Sequence, residues 1–317
     1  MANDTNSSSG NSRHRLRISG ESLRLLDAFA LRAKRAFYGI RQGAHRSQRR
    51  GHGVEFAEYR KYEVGDNPRS IDWNLFSRSD KLYVKRYLEE ENVALHIVID
   101  GSRSMTHAAL RAKWDTATHI AAYAAYIALA TQDPVFFSVL GGARSPRYWG
   151  ARAFPSIVEF LNQASVGAVG ESVVKFDLAA AARAAAAQSR FPGICLIISD
   201  FLYPLDILHE VLSPFRARNM EIHALQVLAA DDRDLTALSG DGNRGATLVD
   251  SESGESRGVE LSPEALSQYR SLFTEHCAAV RQACLSAQIS FLQAEGGEQL
   301  SVEQAALATI AKMGLFV

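Results

Sequence analysis

From residue 93 onward the chain switches regularly between two apolar periods. Short, nearly continuous apolar runs read as buried strands: "NVALHIVID", "DPVFFSVLGG", "GICLIISD", "MEIHALQVLA" and "QISFLQAE". Between them lie helical stretches: "HAALRAKWDTATHIAAYAAYIALATQ", "PSIVEFLNQ", "DLAAAARAAAAQSR", "LDILHEVLSPFRARN", "SPEALSQYRSLFTEHCAAVRQACLSA" with Pro263 in its first turn, and "SVEQAALATIAKMG". "LVDSESGESRGVEL" reads as a small hairpin inserted near 240–260. Strands and helices alternating in this way, with strands apolar on both faces, predict an α/β fold. Its sheet is mainly parallel and covered by helices on both sides.

The front of the chain has a different texture. Residues 1–19 are rich in Ser, Asn and Arg and predict an unstructured terminus. "ESLRLLDAFALRAKRAF" has a partly helical apolar spacing and predicts a helix opened by Ser19 or Glu21. Residues 54–92 interleave charges with Phe56, Tyr59, Tyr62, Trp73, Phe76, Tyr83 and Tyr87. "VGDNPRS" marks a turn there, and "KLYVKRYLEE" alternates like a strand. Too polar to form a core alone, residues 20–92 are expected to be a helix and an extended, β-containing arm packed on a main domain of residues 93–317.

Composition narrows the class. Of 317 residues 47% are apolar and 22% charged, as in a globular protein. The formal net charge is zero, but residues 1–92 carry 18 Lys/Arg against 12 Asp/Glu, and the remainder is correspondingly acidic. The basic run "RQGAHRSQRRGHG" offers nucleic-acid binding as an alternative function. Acids scattered through residues 55–91 make a poor phosphate track, so no nucleic-acid partner is expected. Three cysteines, the absence of an apolar leader, and a longest helical apolar run of 11 residues point to a soluble, cytoplasmic protein without a membrane span.

Chemistry is expected at the carboxyl ends of the strands, where ligands bind in open α/β sheets. Asp100 ends one strand and Asp200 another. An unpaired buried carboxylate is costly, and two at one sheet edge repel. A divalent cation, Mg²⁺ or Mn²⁺, relieves both problems, and in a tight loop Asp100, Ser102 and Ser104 can direct three oxygens to one point. The alternative is local: the serines cap the next helix while Asp100 accepts backbone N–H bonds.

The strand followed by Asp-x-Ser-x-Ser resembles the metal-ion-dependent adhesion site of von Willebrand factor A domains. The longer block "RRGHGVEFAEYRKYEVGDNPRSIDWNLFSRSDKLYVKRYLEEE", followed by "VIDGSRSM", resembles the domain-of-unknown-function 58 family. These are bacterial von Willebrand factor A-like proteins often encoded beside MoxR-type AAA+ ATPases. The resemblance implies a Rossmann-like, von Willebrand factor A-like domain that binds partners and is not an enzyme. It implies a MoxR-type ATPase and an unknown client as partners, and metal contacts through Asp100, Ser102, Ser104 and Asp200. One departure stands out. Phe176 occupies the place of a metal-binding Thr, leaving Ser172 as a substitute hydroxyl and Asp177 as either a site residue or a helix cap.

Further candidates lie in "GDNPRSIDW", where Arg69 and Asp72 either brace the arm or form a docking surface. In the first case Arg69 pairs with Glu58, Asp66 or Asp72. An enzymatic alternative makes Asp100 the nucleophile of a haloacid-dehalogenase-like phosphotransferase, with Asp200 holding Mg²⁺. Such enzymes place a second acid two residues on, where this chain has Ser102. No phosphate loop, nucleophile elbow or paired metal-binding histidines are present in the sequence.

Overall fold

In a computed structural model, the described residues are 15–40, 55–64, 66, 68, 71–88, 93–106, 111–167, 177–189, 193–233, 235, 245–249, 256–260, 262–294 and 301–313. Elements follow in chain order: α1 (Gly20–Ile40), β1 (Glu55–Lys61), α2 (Trp73–Ser79), β2 (Tyr83–Leu88), β3 (Ala94–Ile99), α3 (Arg103–Thr106), α4 (Arg111–Ala130) and β4 (Val135–Val139). Then come α5 (Phe154–Gly167), α6 (Leu178–Gln188), β5 (Gly193–Ser199), α7 (Leu205–Arg216), β6 (Glu221–Val227) and α8 (Ala230–Arg233). The last are β7 (Gly245–Val249), β8 (Ser256–Glu260), α9 (Pro263–Ser286), β9 (Ser290–Ala294) and α10 (Val302–Lys312).

Two compact units emerge, one of Met1–Ala36 with Val93–Val317 and one of Phe37–Asn92. The larger is built on a five-stranded sheet, β4-β3-β5-β6-β9, in which every pairing is parallel. Counting only these strands along the chain, the order is 2-1-3-4-5. The chain therefore reverses its direction of travel across the sheet between β3 and β5, and that is where doubly wound folds leave a crevice for ligands. β7 and β8 form the separate antiparallel pair expected of the hairpin.

The period-2 rule divides each strand between two cores. Leu95, Ile97 and Ile99 of β3 join Leu196 and Ile198 of β5 against α4, α5 and α10. Val98, Cys195 and Ile197 face the opposite way, onto α6, α7 and α9. The Ala-rich α4 is buried nearly all round, because α5 and α10 pack along it on one side of the sheet. Such a helix is apolar without being long or apolar enough to cross a membrane, and neither is any other helix among the described residues.

The front of the chain corrects the sequence-based division. Up to Ala36, α1 belongs with the sheet unit, not with the arm. Leu26 and Ala30 are buried there, and the Tyr126 hydroxyl donates to Asp27. Residues 15–19, assigned by composition to an unstructured terminus, are also fastened. Leu16 is buried in the core and its N–H donates to Asn162 Oδ1 at 2.7 Å, while the Ser19 and Ser22 hydroxyls donate to Glu303. Ile18 also packs on the core and Arg15 pairs with Glu159, so the segment is held by partners more than a hundred residues away.

The smaller unit is local by contrast. β1 and β2 pair antiparallel, and α2 lies in the connection between them. The Asp72 N–H donates to Tyr83 O, and Ile71 bridges Val84, so the connection is stitched to β2.

Candidate functional site

The register of β3 against β5 sets Ile99 beside Ile198, so Asp100 leaves the sheet alongside Ser199 and one step before Asp200. The Asp100 N–H still donates to Ile198 O at 2.9 Å, extending the ladder by one bond. Gly101 then lets the chain turn against β4. A Cβ there would lie 2.3 Å from Leu140 O, so a side chain could enter only if backbone moved.

Asp100 is fully enclosed, and both its oxygens are engaged. Oδ1 accepts from the Ser102 N–H at 2.9 Å, and Oδ2 accepts from the Ser199 hydroxyl at 2.6 Å. The Ser199 oxygen in turn accepts from the Phe201 N–H, so one hydroxyl joins the loops after both strands. Burial pushes the Asp100 pKa up to about 6. The Asp200 charge adds to the rise, and the donors Ser199 and Ser102 oppose it. Burial and the nearby Asp100 charge likewise hold the Tyr203 phenol well above its ordinary pKa. Ser102 and Ser104 bring their hydroxyl oxygens to 3.0 Å of each other at the start of α3.

Asp200 has a partner that the sequence did not reveal. Lys113 of α4 places its Nζ 2.9 Å from Asp200 Oδ2 and 3.1 Å from Asp232 Oδ1. Their side chains are 0%, 1% and 9% exposed. Asp232, in α8 just after β6, also takes the Ala229 N–H on Oδ2. Its backbone carbonyl accepts from the Tyr269 hydroxyl. The Asp200 carbonyl accepts from the Gln226 amide, and its Oδ1 accepts from the Leu202 N–H. Two acids, from the segments after β5 and β6, thus share one buried ammonium, while Asp100 at the end of β3 is held beside them by Ser102 and Ser199.

This arrangement decides how well a divalent cation fits. A metal on Asp200 would stand about 2.1 Å from a carboxylate oxygen. It would then crowd an ammonium that already holds that carboxylate, and like charges at such range in a dry site repel strongly. The set Asp100, Ser102, Ser104 and Asp200 therefore does not fit a shared Mg²⁺ or Mn²⁺ as it is arranged here. Among the described residues no three His, Cys, Asp or Glu side chains group so as to hold a metal. The same pairing removes Asp200 from the Mg²⁺-holding role that the phosphotransferase alternative gave it.

The other candidates separate. Asp177 caps α6, accepting from the Ala180 N–H, with a side chain 64% exposed. Asp72 caps α2 through the Asn74 and Leu75 N–H groups and takes the Tyr59 hydroxyl on its second oxygen. Arg69, Ser172 and Phe176 lie outside the described residues. Among the described residues, Arg60 pairs with Asp66 in the arm.

The family model described as "Protein of unknown function DUF58" matches residues 58–283. The chain belongs to the DUF58 family. Among curated relatives, uncharacterized proteins of Mycobacterium tuberculosis (Rv1480) and Mycobacterium bovis (Mb1516) are each 28% identical over 259 residues. Each alignment spans 80% of this chain and 78% of the relative. Two solved structures also align. The conserved hypothetical protein BatB of Bacteroides thetaiotaomicron has a TM-score of 0.37, and an aerotolerance-related membrane protein of Bacteroides fragilis has one of 0.38. Both are 14% identical, over 70% of this chain and 98% of theirs.

The DUF58 chain did carry a faint signal for Lys113. Lys113, Ala117, Ile120, Ala121 and Ala124 follow helical spacing, and the four apolar members are fully buried, so the lysine lies on the inward stripe. "VLAADDRD" repeats the strand-then-acid pattern a third time in this DUF58 sequence. Neither feature names its partner, because the residues meet only when α4 crosses the sheet.

Proposed function

We propose that this DUF58 protein is a non-enzymatic protein-interaction module with a von Willebrand factor A-like domain. Its binding rim is the switch-point crevice around Asp100, Ser102 and Ser104. The observation that carries this reading is that the acids of the rim are spent internally, at a position where folds of this order take ligands. Asp100 accepts from Ser102 and Ser199, and Asp200 and Asp232 share Lys113. A nucleophilic carboxylate needs an open oxygen and an electrophilic partner, whereas a rim of satisfied groups suits recognition by shape and hydrogen bonding. The partner is a MoxR-type AAA+ ATPase acting with it on a client protein, as the family resemblance implies. A cytoplasmic setting suits the three free thiols Cys195, Cys277 and Cys284.

The test is a titration of purified MoxR-type ATPase against the full chain and against Ser104→Arg, which crowds the rim. Saturable binding by the parent and at least tenfold weaker binding by a variant with the same melting temperature is the expected result. Equal affinities would move the interface elsewhere, and no binding by either would remove this partner. Phosphatase turnover that disappears in Asp100→Asn would return the enzymatic alternative.

A further inference from the structure

We propose that the Lys113 ammonium is the resident cation of this rim, doing the charge-neutralising work a divalent ion does at an adhesion-type site, so that partner recognition here needs no metal. The statement about partner recognition rests on the function proposed above; the statement about Lys113 stands on geometry alone.

An aminobutyl side chain is ordinarily found with its charged end in water, and enclosing that end without counter-charge is very unfavourable. Here the whole side chain is enclosed and its end meets two carboxylates at 2.9 and 3.1 Å. Those carboxylates come from the loops after β5 and β6, and the lysine comes from the helix that follows the β3 loop. One ammonium therefore ties the segments after β5 and β6 to α4, as a metal bridging several loops does. A helix-borne lysine differs from a metal in one respect that matters: it cannot dissociate. Chelation, metal starvation or metal exchange leaves such a rim intact, and a partner carboxylate has no open coordination position to complete.

The geometry also says what the site becomes without the lysine. Asp200 and Asp232 would face each other across the space left by a buried ammonium, each with an oxygen released. Two carboxylates so placed, with nearby waters, suffice for Mg²⁺ or Mn²⁺, which usually keeps several waters when protein-bound. Lys113→Ala and Lys113→Ser should therefore acquire divalent binding that the parent lacks.

The experiment titrates MgCl₂ and MnCl₂ into the parent, Lys113→Ala, Lys113→Ser and Lys113→Ala/Asp232→Asn by calorimetry. In parallel, amine acetylation of the parent is mapped by mass spectrometry with and without Mg²⁺. No saturable heat is expected in the parent, a one-to-one Mn²⁺ isotherm in the small-residue variants, and its loss when Asp232 is also changed. Lys113 should stay at least tenfold less acetylated than the exposed lysine Lys81, whether or not Mg²⁺ is present. A saturable Mg²⁺ isotherm in the parent, or Mg²⁺-dependent acetylation of Lys113, would overturn the proposal. Both of these readings use the parent protein and so remain decisive if the variants do not fold. Binding of the ATPase is then compared in EDTA and in Mg²⁺ without nucleotide. Equal affinity supports metal-free recognition, and binding only in Mg²⁺ refutes it. No binding in either refutes the partner while leaving the lysine result standing.

Discussion

Asp200 in the sheet unit and Asp66 in the arm each sit in an ion pair, and the two pairs obey different physics. Lys113 reaches Asp200 across 87 residues of sequence and Asp232 across 119, in a site from which water is excluded. Arg60 reaches Asp66 across six residues, with both Asp66 oxygens 2.6 Å from one guanidinium nitrogen. The Arg60 side chain remains 28% exposed, and a second contact to Glu63 sits at the surface. The first pair is a consequence of the fold, since it exists only once α4 lies on the sheet. The second is made by a turn and its neighbours. Removing one member should therefore cost far more in the sheet unit than in the arm.

The largest effect is expected from Lys113→Met. Deleting one partner of a buried pair strands the other charge, which typically costs about 3–5 kcal/mol. Urea unfolding of the full chain should show this loss for Lys113→Met. Adding Asp200→Asn should recover a substantial part of it, since one stranded carboxylate becomes neutral. A single variant as stable as the parent would mean that the ammonium is not buried as described.

Asp100 sharpens the same contrast, because it is a buried acid next to the pair but not in it. Its pKa is raised from 3.8 to about 6, chiefly by burial and then by Asp200. A folded-state pKa above the unfolded one means that the native protein binds the proton more tightly between these values. Its contribution is most favourable below about pH 4, is lost as pH rises to about 6, and stays lost above. At roughly 1.4 kcal/mol per pKa unit this is on the order of 3 kcal/mol before any relaxation. Asp100→Asn keeps an acceptor for the Ser102 N–H and abolishes the charge. It should be more stable than the parent at pH 8 by about 1–3 kcal/mol, with the gap closing toward pH 4. A gap that widens on acidification would reverse the assigned sign.

These two regions also differ in how far the sequence foretells them. The period-2 runs, their order and the parallel sheet follow from apolar patterning, since burial on both faces leaves few alternatives for "ALHIVI". The hydroxyls and acid after β3 were visible for the same reason: a polar cluster at the end of an apolar strand is conspicuous. Their partners were not. Asp200 reads as an open ligand until Lys113 is placed on it, and Ser199 looks like the last residue of a strand until its hydroxyl meets Asp100. Resemblance to an adhesion-type site implies a metal on Asp200, a carboxylate that tertiary packing sets against Lys113. In the arm, Asp72 has a local role that its sequence neighbours also signal: an Asp before "WNLF" fits a helix cap, and its second oxygen takes the Tyr59 hydroxyl.

Asp72→Ala tests that cap. It removes an acceptor for the Asn74 and Leu75 N–H groups and for the Tyr59 hydroxyl. Losing an N-cap costs about 1 kcal/mol, within a range of about 0.5–2. Asp72→Ser, which keeps a capping oxygen, should restore most of it. Because the cap belongs to the arm, amide exchange should quicken in residues 71–88 before it changes in β3 or β5.

Arg60→Ala should have the smallest effect of the four, and its salt dependence matters more than its size. The contact is short, which favours it, although one nitrogen serves both Asp66 oxygens in place of the parallel two-nitrogen fork. Its solvent exposure works the other way, because water and ions screen the attraction and the free side chain regains rotamer entropy. Asp66 also keeps a bond from the Glu63 N–H, so it is not stranded when the arginine is removed. The melting temperature of Arg60→Ala should fall by less than that of Asp72→Ala in low salt and by still less in 1 M NaCl. Lys113→Met should lose nearly the same stability in both salts, since the screening atmosphere cannot enter a site from which water is excluded. Equal salt sensitivity of the two variants would place both pairs at the surface and dissolve the distinction between them.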